Sequence, residues 1–115
     1  MHEFSLAMQL VKVVERKANE MGAKSIIRIK VRVGLATTIV PEFLSEAFNV
    51  AKLGTLAEDA ELEIEVEPIK LSCWNCGNEF EAEGLFSKCC LCGSVGGKVV
   101  SGGEVIVEQV ELKVG

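Results

Sequence analysis

The chain has no tyrosine, one histidine, one tryptophan and two prolines among its 115 residues. With a single imidazole and no G-x-S-x-G, a nucleophile, base and acid set cannot be assembled from local motifs, so no enzyme is expected. The segment GSVGGKVV contains Gly-Gly-Lys but lacks the leading glycine at P-loop spacing and the Ser/Thr after the lysine, which leaves it as a turn. Lysine and arginine number 12 against 17 acidic residues, a net charge of -5, and they form no cluster that would track a phosphate backbone. Nucleic acid is therefore not expected as a partner. No apolar run approaches the ~20 residues of a membrane span. The opening MHEFSLAMQLVKVVERK carries Glu3 before its apolar positions and no basic leader. The expectation is a cytoplasmic protein with no membrane partner.

What is present points to an ordered fold. Hydrophobic residues make up 49% and charged residues 25%, near globular averages. A chain of this length buries somewhat over ~60% of its unfolded surface, enough for one compact unit or a domain with a satellite. From Phe4 to about Met21 the apolar positions Phe4, Ala7, Met8, Val11, Val14, Ala18 and Met21 recur at spacings of three and four, predicting an amphipathic helix ended by Gly22. KSIIRIKVRVG alternates, with Ile27, Ile29, Val31 and Val33 on one face and Arg28, Lys30 and Arg32 on the other. Pro41 opens a second helix with the stripe Leu44, Ala47, Phe48 and Ala51, stopped by Gly54. AELEIEVEP predicts a second strand, Leu62, Ile64 and Val66 inward and Glu61, Glu63, Glu65 and Glu67 outward, closed by Pro68. Near the end, Val110, Leu112 and Val114 alternate with Gln109, Glu111 and Lys113 in a third strand.

The implied fold class is α+β: two helices packed on a small three-stranded sheet. Between the second and third strands, residues 70 to 100 gather the cysteines and several glycines, which predicts an inserted, zinc-ribbon-like metal domain. The expected division is an α/β domain of residues 1–69 plus 101–115 and a metal domain of residues 70–100. The basic row of the first strand is placed to meet the acidic row of the second across the sheet, as a solvated face rather than a binding surface.

Five cysteines without an export signal suggest metal or redox chemistry rather than disulfides, because the cytosol keeps thiols reduced. CWNCG supplies Cys73 and Cys76, CCLCG supplies Cys89 and Cys92, and a glycine follows each pair. Two C-x-x-C-G knuckles place four thiolates around one tetrahedral ion with no open position, so the ion holds structure and does not activate water. Zinc is favoured, and a rubredoxin-like iron site has the same ligand count. Cys90 is a bystander or an alternative ligand to Cys89. Trp74 is expected to pack locally rather than stack on bases.

The lone histidine stands at position 2. There the Met1 α-amine, the His2 amide nitrogen and the His2 imidazole can close two fused chelate rings on one ion. Planar nitrogen donors suit Ni(II) or Cu(II) better than zinc. An α-amine and an imidazole shed protons near pH ~8 and ~6.5 respectively, so binding there weakens as pH falls through that range. Glu3 stands beside this set and can offer its amide, its carboxylate or a supporting contact. An exposed, easily dismantled site has the properties of a carrier.

Met1-His2-Glu3 with Ser5-Leu6-Ala7, the stretch VPEFLSEAF, GTLAEDAELEIE before the paired knuckles, and the final SGGEVIVEQVELK together resemble the HypA/HybF hydrogenase maturation proteins over essentially the whole chain. The resemblance implies a nickel metallochaperone that delivers Ni(II) to the large subunit of [NiFe]-hydrogenase together with a partner GTPase. It implies His2 as nickel ligand with the Met1 amine and Glu3 close by, and structural zinc on Cys73, Cys76, Cys89 and Cys92. It also implies an α/β nickel-binding domain from which a zinc domain projects. Phe4 replaces a frequent leucine, Leu35 in GLATTIV stands where the family commonly has an acid, and Cys90 is unusual. The alternative is a zinc-ribbon protein-interaction module without nickel delivery, its histidine incidental.

Overall fold

A computed structural model describes residues 2–115. Its elements are, in order, α1 (His2–Glu20), β1 (Ser25–Gly34), α2 (Pro41–Ala51), β2 (Glu61–Glu67), β3 (Ile69–Cys73), β4 (Glu79–Ala82), β5 (Gly97–Ser101) and β6 (Val105–Lys113). They form two three-stranded sheets, ordered β2-β1-β6 and β4-β3-β5. The α+β class is as expected, and β2 and β6 share the first sheet with β1 between them. The cysteine segment holds three strands that its cysteines and glycines did not announce. Its three strands are only four or five residues long, too short to display a period against the glycines around them.

The chain separates into two compact units. The first comprises residues 1–31, 39–65 and 107–115; the second comprises residues 32–38 and 66–106. In the first, α1 packs on α2. Ala7, Leu10, Val11, Val14 and Ala18 of α1, Ile26, Ile29 and Val31 of β1, and Leu44 and Phe48 of α2 are buried. The buried face of α1 is turned from the expected stripe: Leu10 is inside, whereas Phe4, Met8 and Met21 stay exposed. Helical spacing reveals a broad apolar arc, and the packing of α2 covers only part of it. In β1, Ile26 is buried and Ile27 exposed, one residue out of phase with Ile29 and Val31. The Ile26 amide donates to the Leu56 carbonyl in the turn after α2, and Leu56 is itself held by Glu15, so the start of β1 follows that turn.

The predicted charge rows do meet. Arg28 lies 3.3 Å from Glu63 and 3.8 Å from Glu61, and Lys30 lies 3.6 Å from Glu65 and 3.8 Å from Glu108. Both cations are well exposed, so each pair stabilises by only a few tenths of a kcal/mol and the rows form a solvated sheet face.

In the second unit, Ile69, Leu71 and Ala82 form a small core lined by Ala36 and Phe80. β3 pairs antiparallel with β4 and with β5, with a shift of register between Lys70 and Leu71. Glu67, expected to face solvent, is instead half-buried and doubly bonded, and its neighbour Val66 is exposed. One Glu67 oxygen accepts from Arg32 Nη1 at 2.9 Å and the other from the Gly102 amide at 2.7 Å. Gly102 has φ +82°, and a Cβ there would stand 2.4 Å from the Pro68 carbonyl oxygen. Both conformation and space forbid a side chain. Gly102→Ala is expected to destabilise this unit by about 2 kcal/mol or more, read as a lowered denaturation midpoint in Trp74 fluorescence.

Candidate metal centre

The second unit builds a sulfur cage from two tight turns. β3 ends at Cys73, and the Gly77 amide bonds back to the Cys73 carbonyl at 3.0 Å; the Gly93 amide bonds to the Cys89 carbonyl at 2.9 Å. Gly77 and Gly93 have φ +74° and +78°, the left-handed conformation that closes each knuckle and that glycine adopts without strain. Amides then point at sulfur: Asn75 N–H lies 3.4 Å from Cys73 Sγ, and Leu91 N–H lies 3.4 Å from Cys89 Sγ. The two turns are locally alike, as the repeated C-x-x-C-G pattern requires.

Sγ atoms of Cys73, Cys76, Cys89 and Cys92 lie within 4.8 Å of one another. Cys73 and Cys92 Sγ are 3.5 Å apart, and Cys76 and Cys89 Sγ 3.6 Å. A tetrahedral ion with Zn–S near 2.3 Å requires sulfurs about 3.8 Å apart, so the donor set fits structural zinc in number, kind and spacing. Cys90 stands outside this group, its exposed thiol accepting from the Asn78 side-chain amide at 3.5 Å. Trp74, expected to pack locally, is 71% exposed, with its Nε1 edge beside Gly96.

Within the folded cage the four thiols are not equivalent. Hydrogen bonds from the Ser94 side chain and backbone, then from Asn75 and Cys73, lower Cys92 to about 5. The Asn78 amide pulls Cys76 down, but desolvation and the shared hydrogen bonds with Cys89, Cys92 and Cys73 outweigh it and push it up to about 12. Amides of Cys92 and Leu91 hold Cys89 below the ordinary thiol range. A segment with this few buried apolar side chains unfolds without its metal, so its thiols start near their ordinary range, and zinc binding at pH 7 is expected to release close to four protons, measured calorimetrically in buffers of different ionisation enthalpy.

The amino-terminal residues lie in the first unit. Met1 and its α-amine fall outside the described residues. His2 begins α1 and is exposed. The first N–H groups of a helix have no intrahelical partner, so the His2 amide is not committed to the helix ladder. Glu3 is buried: it is 7% exposed, and its Oε2 accepts the Val40 N–H at 2.9 Å. That amide, and Glu3's own, hold the carboxyl below the usual carboxylate range against some desolvation. Sequence reading placed Glu3 beside the chelate but missed this contact, which spans 37 positions. The one local signal was that Val40, at the N-cap of α2, has no side chain able to cap.

Fold and cage together define a small α+β protein with a four-cysteine metal centre, and no helix long and apolar enough to cross a membrane among the described residues. A family model described as hydrogenase/urease nickel incorporation, metallochaperone, hypA matches residues 1–112. The chain belongs to the HypA family of nickel metallochaperones and maturation factors. It is 40% identical to the hydrogenase maturation factor HypA of Aquifex aeolicus, over 99% of each chain. It is 35% identical to that of Moorella thermoacetica, over 96% of this chain and 98% of the relative. The solution structure of the Ni metallochaperone HypA from Helicobacter pylori is similar at a TM-score of 0.72 and 25% identity, over 98% of both chains.

Proposed function

We propose that this chain binds Ni(II) at its amino terminus, through the Met1 amine, the His2 amide nitrogen and the His2 imidazole with Glu3 alongside, and delivers it for maturation of [NiFe]-hydrogenase. The observation that carries this reading is the exposure of His2 on the first helical residue, where its amide has no helix bond to give up. Three nitrogens offer a planar donor set of the kind Ni(II) accepts. The same reading assigns structural zinc to Cys73, Cys76, Cys89 and Cys92, whose closed sulfur set leaves no position for cargo. Zinc there supplies cross-linking of the two knuckles and no catalysis.

In this reading residues 1–69 plus 101–115 form the nickel-binding domain and residues 70–100 the zinc-binding domain, and the protein works in the cytoplasm without catalysing a reaction. Its partners are the nickel-insertion GTPase of hydrogenase maturation and the hydrogenase large subunit, the second of which takes the metal. The test is a Ni(II) titration of zinc-loaded protein followed by the absorption of planar Ni(II). One further ion per chain is expected, and its loss on His2→Ala. Nickel binding that ignores His2 would overturn the reading.

A further inference from the structure

The amino-terminal site needs a fourth donor, and the carboxylate beside it, Glu3, is already held by a backbone amide. Its Oε2 holds the Val40 N–H, and the side chain is nearly all buried while the neighbouring His2 is exposed. Val40 is the N-cap of α2, with φ -95° and ψ 117°; it has no capping side chain, and Pro41 follows. In a capping box, a glutamate three residues into the helix reaches back to the N-cap amide. Position 43 is phenylalanine here, so the carboxylate comes from α1 instead. An anion at the start of a helix is further favoured by the helix dipole.

Resting on the nickel reading above, we propose that the Glu3 carboxylate is a positioning group and not a nickel donor. Its bond to Val40 ties the first turn of α1 to the start of α2 and turns the His2 imidazole outward, so the fourth coordination position goes to a group other than this carboxylate. A carboxylate that moved to the metal would leave the Val40 amide and the start of α2 without their partner. Consecutive helical residues point about 100° apart, so a side chain anchored inward at position 3 fixes an outward one at position 2.

The test compares Ni(II) affinity and the ligand-field absorption band in zinc-loaded wild type, Glu3→Ala, Glu3→Gln, Val40→Pro and the Glu3→Ala/Val40→Pro double variant, with helix content checked by circular dichroism. Val40→Pro removes the donor without touching Glu3. Each of Glu3→Ala and Val40→Pro is expected to weaken nickel about threefold to tenfold with the band unmoved, the scale of a lost cap. The double variant is expected to be no weaker than either single one, because both remove one contact. Glu3→Gln keeps an oxygen for the Val40 amide and is expected to restore most of the affinity with the same band.

Loss of nickel in Glu3→Gln with a shifted band would make the carboxylate a donor and overturn the proposal. So would wild-type affinity in Glu3→Ala, or a defect in Glu3→Ala that Val40→Pro does not share. His2→Ala serves as control: if it binds nickel as wild type does, the terminal-site reading itself has failed, a result distinct from any of these.

Discussion

Stripping the metal from the cysteine cage is expected to melt residues 66–106 while α1 and α2 persist. The second unit's core is Ile69, Leu71 and Ala82 with two half-buried neighbours. Trp74, Leu85, Phe86, Leu91 and Val95 are all exposed. Fully burying an aliphatic side chain is worth about 1.5–3 kcal/mol, whereas ordering each backbone residue costs about 1–2 kcal/mol. Ile69, Leu71 and Ala82, even with the buried Val33 of the same unit, cannot hold some forty residues, and the cross-link must. Structural zinc contributes roughly 10–16 kcal/mol in small zinc-binding peptides. The first unit has its own core on two helices and β1, independent of the sulfurs. The measurement is amide dispersion by NMR alongside helical circular dichroism during chelation. Resonances of 66–106 are expected to collapse to random-coil positions with most helical signal retained. Dispersed resonances in metal-free protein would show that this unit's polar network, including Arg32, Glu67 and Gly102, suffices without the ion.

Legibility in the sequence followed the range of each interaction. Each C-x-x-C-G knuckle was legible because its turn closes within five residues, and the structure then gathers those four sulfurs and leaves Cys90 outside. The pairing of Arg28 and Lys30 with the β2 glutamates was legible because strand alternation puts like residues on one face, and only the neighbouring strand had to be guessed. What escaped depends on partners distant in sequence. Glu67 turns inward because Arg32 and Gly102, both 35 positions away, offer donors. Glu3 does so because Val40 lacks a cap. On α1 the period was right, but its exposed edge could not be fixed without knowing where α2 lies. IKLSC and EFEA do alternate, yet their shortness among glycines hid β3 and β4.

The second large effect expected is on nickel. In the proposed site, His2→Ala would remove one of three nitrogens and open the six-membered chelate ring, leaving an amine and an amide nitrogen that must be deprotonated without an imidazole to anchor the ion. A lost metal donor, unlike a lost cap, takes away a coordinate bond, so at least a hundredfold weaker binding is expected, on the order of 3 kcal/mol or more. The change is on an exposed residue, so the thermal midpoint of the zinc-loaded protein is expected to stay put. Zinc content is expected to be unchanged as well, because the sulfur cage contains no part of residues 1 to 3.

The central claim is that cargo binds at the chain's first atoms, and a single added residue before Met1 tests it most directly. That extension keeps every side chain, including His2 and Glu3, and converts the α-amine into an amide. Calorimetric titration of Ni(II) into zinc-loaded wild type and the extended form is expected to show one nickel per chain in the first and strong loss in the second. Equal affinity in the two would contradict the account.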